Sequence, residues 1–232
     1  MDGMSWFQTG RRREGSMRLV AFDFDGTLSD SEMTVLLGRR MGVADEMADI
    51  TERAMNDEIS YADSLRKRAK LLDGLEAEDA EEAYDEVTLR PGAAELIGRL
   101  RDAGHHVAVL TGGFERGVER ALEKEGVEVD TIVANRLPVE GGRLTGEVEG
   151  SLIEGTKDEA LETLADELDV KLSRTVAVGD GANDLPMLEV AGLAVGFVPK
   201  PAVRPSCDVV VASMYRLGKV LEGYGVVRKT DR

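Results

Sequence analysis

The sequence predicts an α/β protein: a mostly parallel sheet with helices on both faces and a small helical cap inserted near its start. Two observations carry this. Beyond Pro91, short apolar runs alternate with stretches of helical period, the pattern of strand–helix–strand units. Before it, residues 30–89 hold no proline and repeat apolar residues at helical spacing. A third observation gives the fold a working edge. Asp and Thr residues stand at the carboxyl ends of the predicted strands, where open parallel sheets hold their ligands.

The elements follow in order. Met1 to Ser16 holds arginines with no apolar run behind them, which predicts a disordered extension rather than a secretory signal. Residues 17–30 begin the core, with Arg18 to Phe22 as a short buried strand. In 31–89, Leu36, Leu37 and Met41, then Ile50 and Ala54, then Leu65, Ala69 and Leu72 predict three or four helices packed as the cap. Arg90-Pro91-Gly92 closes the insert, Pro suiting the first turn of the next helix. Residues 90–232 complete the core. A helix from Ala93 to Ala103 leads to a strand, His106 to Leu110, then a turn at Thr111-Gly112-Gly113 and a helix through Glu125. A strand from Asp130 to Ala134 precedes a hairpin over Leu137 to Val148 that turns at Gly141-Gly142. A helix from Lys157 to Leu168, the strand in RTVAVGD, a helix after Ala182, strands in GLAVGF and DVVVA, and a helix from Tyr215 to Glu222 finish the chain.

The formal net charge is −16, and only 8 of the 29 basic residues are lysine. Such a field repels nucleic acid and anionic membranes, and no run of about 18 apolar residues offers a membrane span. Two readings of the acidity stay open, an ordinary acidic protein and a halophilic surface adapted to high salt. Cys207 stands alone, so it closes no internal disulfide and suits a reducing cytoplasm. Monomer and homodimer stay open as well.

The stretch AFDFDGTLSDSE, Ala21 to Glu32, places two aspartates one residue apart at a strand end. Residues two apart in extended chain face the same side, so Asp23 and Asp25 face one site while Phe24 turns into the core. Paired acids repel unless a cation lies between them. Asp180 and Asp184, in GDGAND, bring more carboxylates to the same edge. Hard oxygen ligands suit Mg²⁺, which also binds substrate phosphate. Thr111 offers a hydroxyl, and Gly112 and Gly113 offer backbone N–H groups before a helix, a natural anion site. Lys157 opens a helix and is either a solvated lysine or a phosphate or carboxylate partner. His105 and His106 precede a strand, at the wrong end of the sheet for this site, and read as structural.

DFDGT, then TGG, then Lys157, then GDGAND, in that order, resembles the haloacid-dehalogenase (HAD) superfamily of phosphatases. The segments ISYADSLRKRAKLL, AVLTGGFERGV, ANRLPVEGGRLTGEVEG and TVAVGDGANDLPML resemble its phosphoserine-hydrolysing branch, over roughly residues 18–220. Gly26 and Thr111 stand where that branch often has serine. The resemblance implies a Rossmann-like HAD core and an Mg²⁺-dependent hydrolysis of O-phospho-L-serine in serine biosynthesis. In it Asp23 is the nucleophile and Asp25 the acid and then the base. The carboxylates of Asp23 and Asp180, with the main-chain carbonyl of Asp25, hold the metal, and Asp184 orients them. Thr111, Gly113 and Lys157 hold the phosphoryl oxygens, Asn183 supports substrate, Glu32 pairs with the ammonium and Arg68 with the carboxylate, and Met55 and Tyr61 line the apolar side. The partner is thus a small phosphomonoester.

Phosphotransfer to another hydroxyl amino acid such as homoserine uses the same residues, as does hydrolysis of another small metabolite. A non-catalytic phospho-ligand binder is the reading from another class; loss of Asp23 or Asp25 would mark it, and both are present.

Overall fold

LVAF, Leu19–Phe22, forms β1, and all four residues are buried. A strand with no polar face must be covered on both sides, and the computed structural model shows how. It describes residues 17–55 and 58–229; the extension expected over residues 1–16 lies outside them. In chain order come α1 (Met33–Met41), α2 (Ala44–Met55), α3 (Tyr61–Lys70), α4 (Ala77–Asp85), α5 (Ala93–Asp102), β2 (His106–Phe114), α6 (Glu115–Glu125) and β3 (Thr131–Asn135). Then follow β4 (Val139–Glu140), β5 (Arg143–Leu144), α7 (Lys157–Glu167), β6 (Thr175–Gly179), α8 (Leu185–Val190), β7 (Leu193–Phe197), β8 (Val209–Val211) and α9 (Met214–Gly223).

The main sheet runs β3-β2-β1-β6-β7-β8, every pair parallel. The chain winds outward from β1 to β3, then returns to the other side of β1 at β6. The strand order therefore reverses between β1 and β6, the crevice where such sheets place their ligands. Alternate residues divide between two cores. Val20, Phe22, Val107 and Val109 pack with α5, α6 and α9, while Leu19, Ala21, Ala108 and Leu110 pack with α7 and α8.

The insert comprises α1 to α4. Its two linkers are zipped together: the Ser29 hydroxyl donates to the Thr88 carbonyl (2.7 Å) and the Arg90 N–H to the Leu28 carbonyl (2.8 Å). Its far side is held by the β4–β5 hairpin, whose Leu144 N–H donates to Leu75 O (2.8 Å) and whose Gly142 carbonyl accepts from Ala77 N (2.8 Å). Ser60 caps α3 by accepting from the Asp63 N–H (3.0 Å), which satisfies a donor that a helix start leaves open.

Two local expectations change. Thr111-Gly112-Gly113 is not a turn. β2 continues through it to Phe114, with a register irregularity against β3 between Leu110 and Phe114. The glycines bend the strand without ending it, as they do at bulges. Pro91 lies ahead of α5 rather than in its first turn, because Gly92 takes the N-cap position at φ 85°, a left-handed conformation that favours glycine.

Candidate active site

Asp23 is the first residue beyond β1, and its N–H still donates to Val178 O on β6 (2.9 Å). Phe24 is buried, and the chain turns through Gly26 at φ 89°. A Cβ there would lie 2.6 Å from Asp180 Oδ1, so both the backbone angle and the close approach require glycine. This turn sets Asp23 and Asp25 against a cavity of about 330 Å³. Thr111, Gly112 and Gly113 reach it from β2, Asp180 and Asn183 from beyond β6, and Glu32, Tyr61 and Arg68 from the insert. The residues expected at one sheet edge are therefore brought together.

Lys157, at the start of α7, is the hub of the buried charge. Its ammonium donates to Asp23 Oδ1 (2.5 Å) and Asp184 Oδ1 (2.6 Å), and all three side chains are buried. A Thr156–Glu159 capping box fixes the helix start that carries it. Burial works against the ammonium, but Asp184 and Asp23 outweigh it and hold Lys157 above its usual range. The solvated-lysine reading is therefore excluded. Asp184 is fully buried, and its Oδ2 accepts from the N–H groups of Asp180 and Gly181 (2.9 Å each).

Oxygen atoms of Asp23, Asp180 and Asp184 lie within 4.8 Å of one another. Burial first, then Asp184, pushes Asp23 up to about 8, and the same two causes raise Asp180. Three carboxylates with the ammonium of Lys157 between two of them and that of Lys200 at 3.9 Å from the third still leave the cluster short of positive charge, and a divalent cation with oxygen preference fits that deficit. Asp25 behaves differently. Burial, followed by the charge of Asp23, raises it well above the carboxylate range, and its Oδ1 is a buried oxygen without a hydrogen-bond partner among the described residues. A carboxyl group that holds its proton more tightly than usual suits the role of proton donor.

Thr111 is buried, and its Oγ1 accepts from the Gly113 N–H (3.0 Å). In SLRKR the three basic residues part company. Arg66 and Lys67 are exposed, Arg66 pairing with Glu154, while Arg68 is buried. The one hydrogen bond of Arg68 among the described residues is a long one, Nε to Ser64 O (3.4 Å). Burial lowers its affinity for its proton, partly offset by Tyr61 and Glu32. It is a buried cation in want of an anion. Tyr61, expected on the apolar side, also makes a polar contact, its hydroxyl donating to Gly112 O (3.2 Å). Met55 ends α2, and its side chain lies outside the described residues. His105 lies at the opposite end of β2, its Nδ1 accepting from the Arg18 N–H (3.2 Å).

Two residues at the site were not anticipated. Lys200 lines the cavity with its ammonium 3.9 Å from Asp180 Oδ2. Asn135, at the end of β3, donates from Nδ2 to Gly112 O (3.0 Å).

The model of the haloacid dehalogenase-like hydrolases matches residues 20–189. The chain belongs to that family. Among similar haloacid dehalogenase-like proteins, a phosphoserine phosphatase of Halobacterium salinarum is 54% identical over 210 residues, which cover 90% of this chain and all of that one. A phosphoserine phosphatase of Methanocaldococcus jannaschii is 42% identical, over 85% of this chain and 93% of its own. A solved phospho-aspartyl intermediate analogue of phosphoserine phosphatase superposes with a TM-score of 0.81 at 40% identity, covering 88% of this chain and 98% of that one. A substrate-bound phosphoserine phosphatase complex gives 0.80 at 39% identity, covering 90% and 98%.

Proposed function

We propose that the chain hydrolyses O-phospho-L-serine to L-serine and inorganic phosphate, as its relatives' names suggest, and so serves serine biosynthesis. The observation that carries the reading is the polarity of the cavity. Asp23, Asp25, Thr111 and Lys157 gather at the sheet edge, from the ends of β1, β2 and the start of α7, whereas Glu32 and Arg68, which has no ion-pair partner among the described residues, stand on the insert. A phosphate, an ammonium and a carboxylate on one small molecule match those groups.

Asp23 attacks phosphorus, and the bond from phosphorus to the serine oxygen breaks. Asp25, in its protonated form, gives its proton to the leaving oxygen, which departs as the serine hydroxyl. The Asp25 carboxylate then takes a proton from water, whose oxygen attacks the phosphorus of the aspartyl-phosphate. That bond to Asp23 breaks and phosphate leaves. Lys157, Thr111 and the Gly113 N–H hold phosphoryl oxygens, Asn183 supports the ligand, Glu32 pairs with the ammonium and Arg68 forks onto the carboxylate. Mg²⁺ fits Asp23, Asp180 and the main-chain carbonyl of Asp25, with Asp184 orienting them. When bound it offsets the negative charge of nucleophile and phosphoryl group.

The test is phosphate release across a panel of small phosphomonoesters, with L-homoserine added as a competing acceptor. Phosphoserine is expected to be the best substrate, with water as acceptor. Asp23→Asn is expected to abolish turnover in a folded protein. Near-native turnover by that variant would overturn the covalent mechanism.

A further inference from the structure

The roles above leave the Asn135 side chain and the Tyr61 hydroxyl without a purpose. Both donate to one acceptor, the carbonyl of Gly112, at 3.0 and 3.2 Å. Asn135 is fully buried, and its Oδ1 has no hydrogen-bond partner among the described residues. The Gly112 bond is thus what the side chain offers. The fit around these donors is tight. A Cβ on Gly112 would lie 1.9 Å from the Tyr61 hydroxyl, and one on Gly150 would lie 2.2 Å from Asn135 Oδ1.

The peptide that ends in the Gly112 carbonyl also carries the N–H of Gly113. In a planar trans peptide the two groups point in opposite directions. Two donors behind the carbonyl therefore fix the plane and direct the N–H forward. There it meets Thr111 Oγ1 (3.0 Å), and a Cβ on Gly113 would lie 2.9 Å from Asp25 Oδ2. Donors on a carbonyl also polarise the amide and strengthen its N–H as a donor.

We propose that Asn135 and Tyr61 are positioning residues that aim and strengthen the Gly113 N–H as a donor to the phosphoryl group. Asn135 acts from the sheet and Tyr61 from the insert. The inference rests on the site being a phosphomonoester site. Tyr61 shares α3 with Arg68, so the helix that holds one end of the ligand also tightens the grip on the other.

The test compares inorganic vanadate, a phosphoryl mimic, with L-serine, which lacks the phosphoryl group, by titration calorimetry on the Mg²⁺-loaded protein. Tyr61→Phe removes one hydroxyl. It is expected to weaken vanadate roughly 2- to 10-fold, the worth of one neutral hydrogen bond. L-serine affinity and the thermal midpoint should not move. Asn135→Asp, which sets an acceptor against the carbonyl, should weaken vanadate more. In that background Tyr61→Phe should lose most of its effect, because the plane it helps to hold is already free. Unchanged vanadate affinity in Tyr61→Phe, equal weakening of vanadate and L-serine, or full additivity of the two substitutions would overturn the inference. If Asn135→Asp does not fold, Tyr61→Phe still decides, since the tyrosine is 39% exposed and its ring is retained. No vanadate binding by the parent protein would overturn the phosphomonoester reading, and this one with it.

Discussion

Replacing Arg68 with methionine separates ligand recognition from chemistry. Methionine keeps much of the apolar stem and removes the guanidinium. Arg68 is 9% exposed, its one hydrogen bond among the described residues is a long contact from Nε to Ser64 O, and it lines the cavity together with Glu32. A ligand carboxylate there would accept two charge-assisted bonds, each worth about 1.5–3 kcal/mol. Its removal would also leave the carboxylate desolvated without a partner. The expected loss is about 2–5 kcal/mol, or roughly 30- to 4,000-fold in kcat/KM at about 1.4 kcal/mol per decade. The assay compares phosphoserine with para-nitrophenyl phosphate, which has no carboxylate and should lose little. The thermal midpoint of the ligand-free protein should hold or rise, because a buried cation without a close counterion destabilises. Equal losses on both substrates would refute the assignment of Arg68 to the carboxylate.

Exhaustive chelation should abolish turnover and Mg²⁺ should restore it. Ca²⁺ should inhibit, since its larger, looser shell would misplace the attacking oxygen of Asp23; full activity after chelation would refute the metal requirement. Mg²⁺ should also raise the thermal midpoint, because it binds the folded cluster of Asp23, Asp180 and Asp184. A net charge of −16 predicts a midpoint that rises from low to molar KCl as repulsion is screened; a flat or falling midpoint would favour an ordinary acidic protein. His105 predicts a pH effect remote from the site. Its Nδ1 accepts from the Arg18 N–H and its Nε2 faces Val226 O, so only the neutral ring fits, and burial lowers its pKa below 6.5. Below that pH the unfolded chain binds the extra proton, so this stability is complete above about pH 6.5 and is lost as pH falls through the folded value. Urea unfolding of the parent and of His105→Gln should converge between about pH 7.5 and 5; a constant difference would refute it.

The element order was legible because it is written in local signals. Four all-buried residues before an aspartate read as a strand, and Gly141-Gly142 between short apolar runs reads as a hairpin turn. Thr111-Gly112-Gly113 misled because glycine marks both turns and bulged strands, and the choice between them is made by pairing with β3. The separate fates of Arg66 and Arg68 were not legible either. Residues two apart on a helix face different ways, but which way is inward depends on what the helix packs against. Arg66 meets Glu154 at the surface, while Arg68 turns to the cavity.

The missed residues show where the reading stopped short of its own rule. Asp23, Thr111 and Asp180 were found because they stand just past, or near, the carboxyl ends of β1, β2 and β6, where a parallel sheet presents its ligand site. The same rule reaches strands farther from β1. Asn135 ends β3 and Lys200 follows the end of β7 at Phe197, and both come to the site, Asn135 through Gly112 and Lys200 beside Asp180. Neither belongs to DFDGT, TGG or GDGAND, so motif matching passed over them. Position at a strand end is set by the winding of the sheet and does not depend on a motif. It finds candidates wherever the strand itself is legible, and helix-borne groups such as Arg68 remain beyond it, since their direction is decided by the packing of the insert.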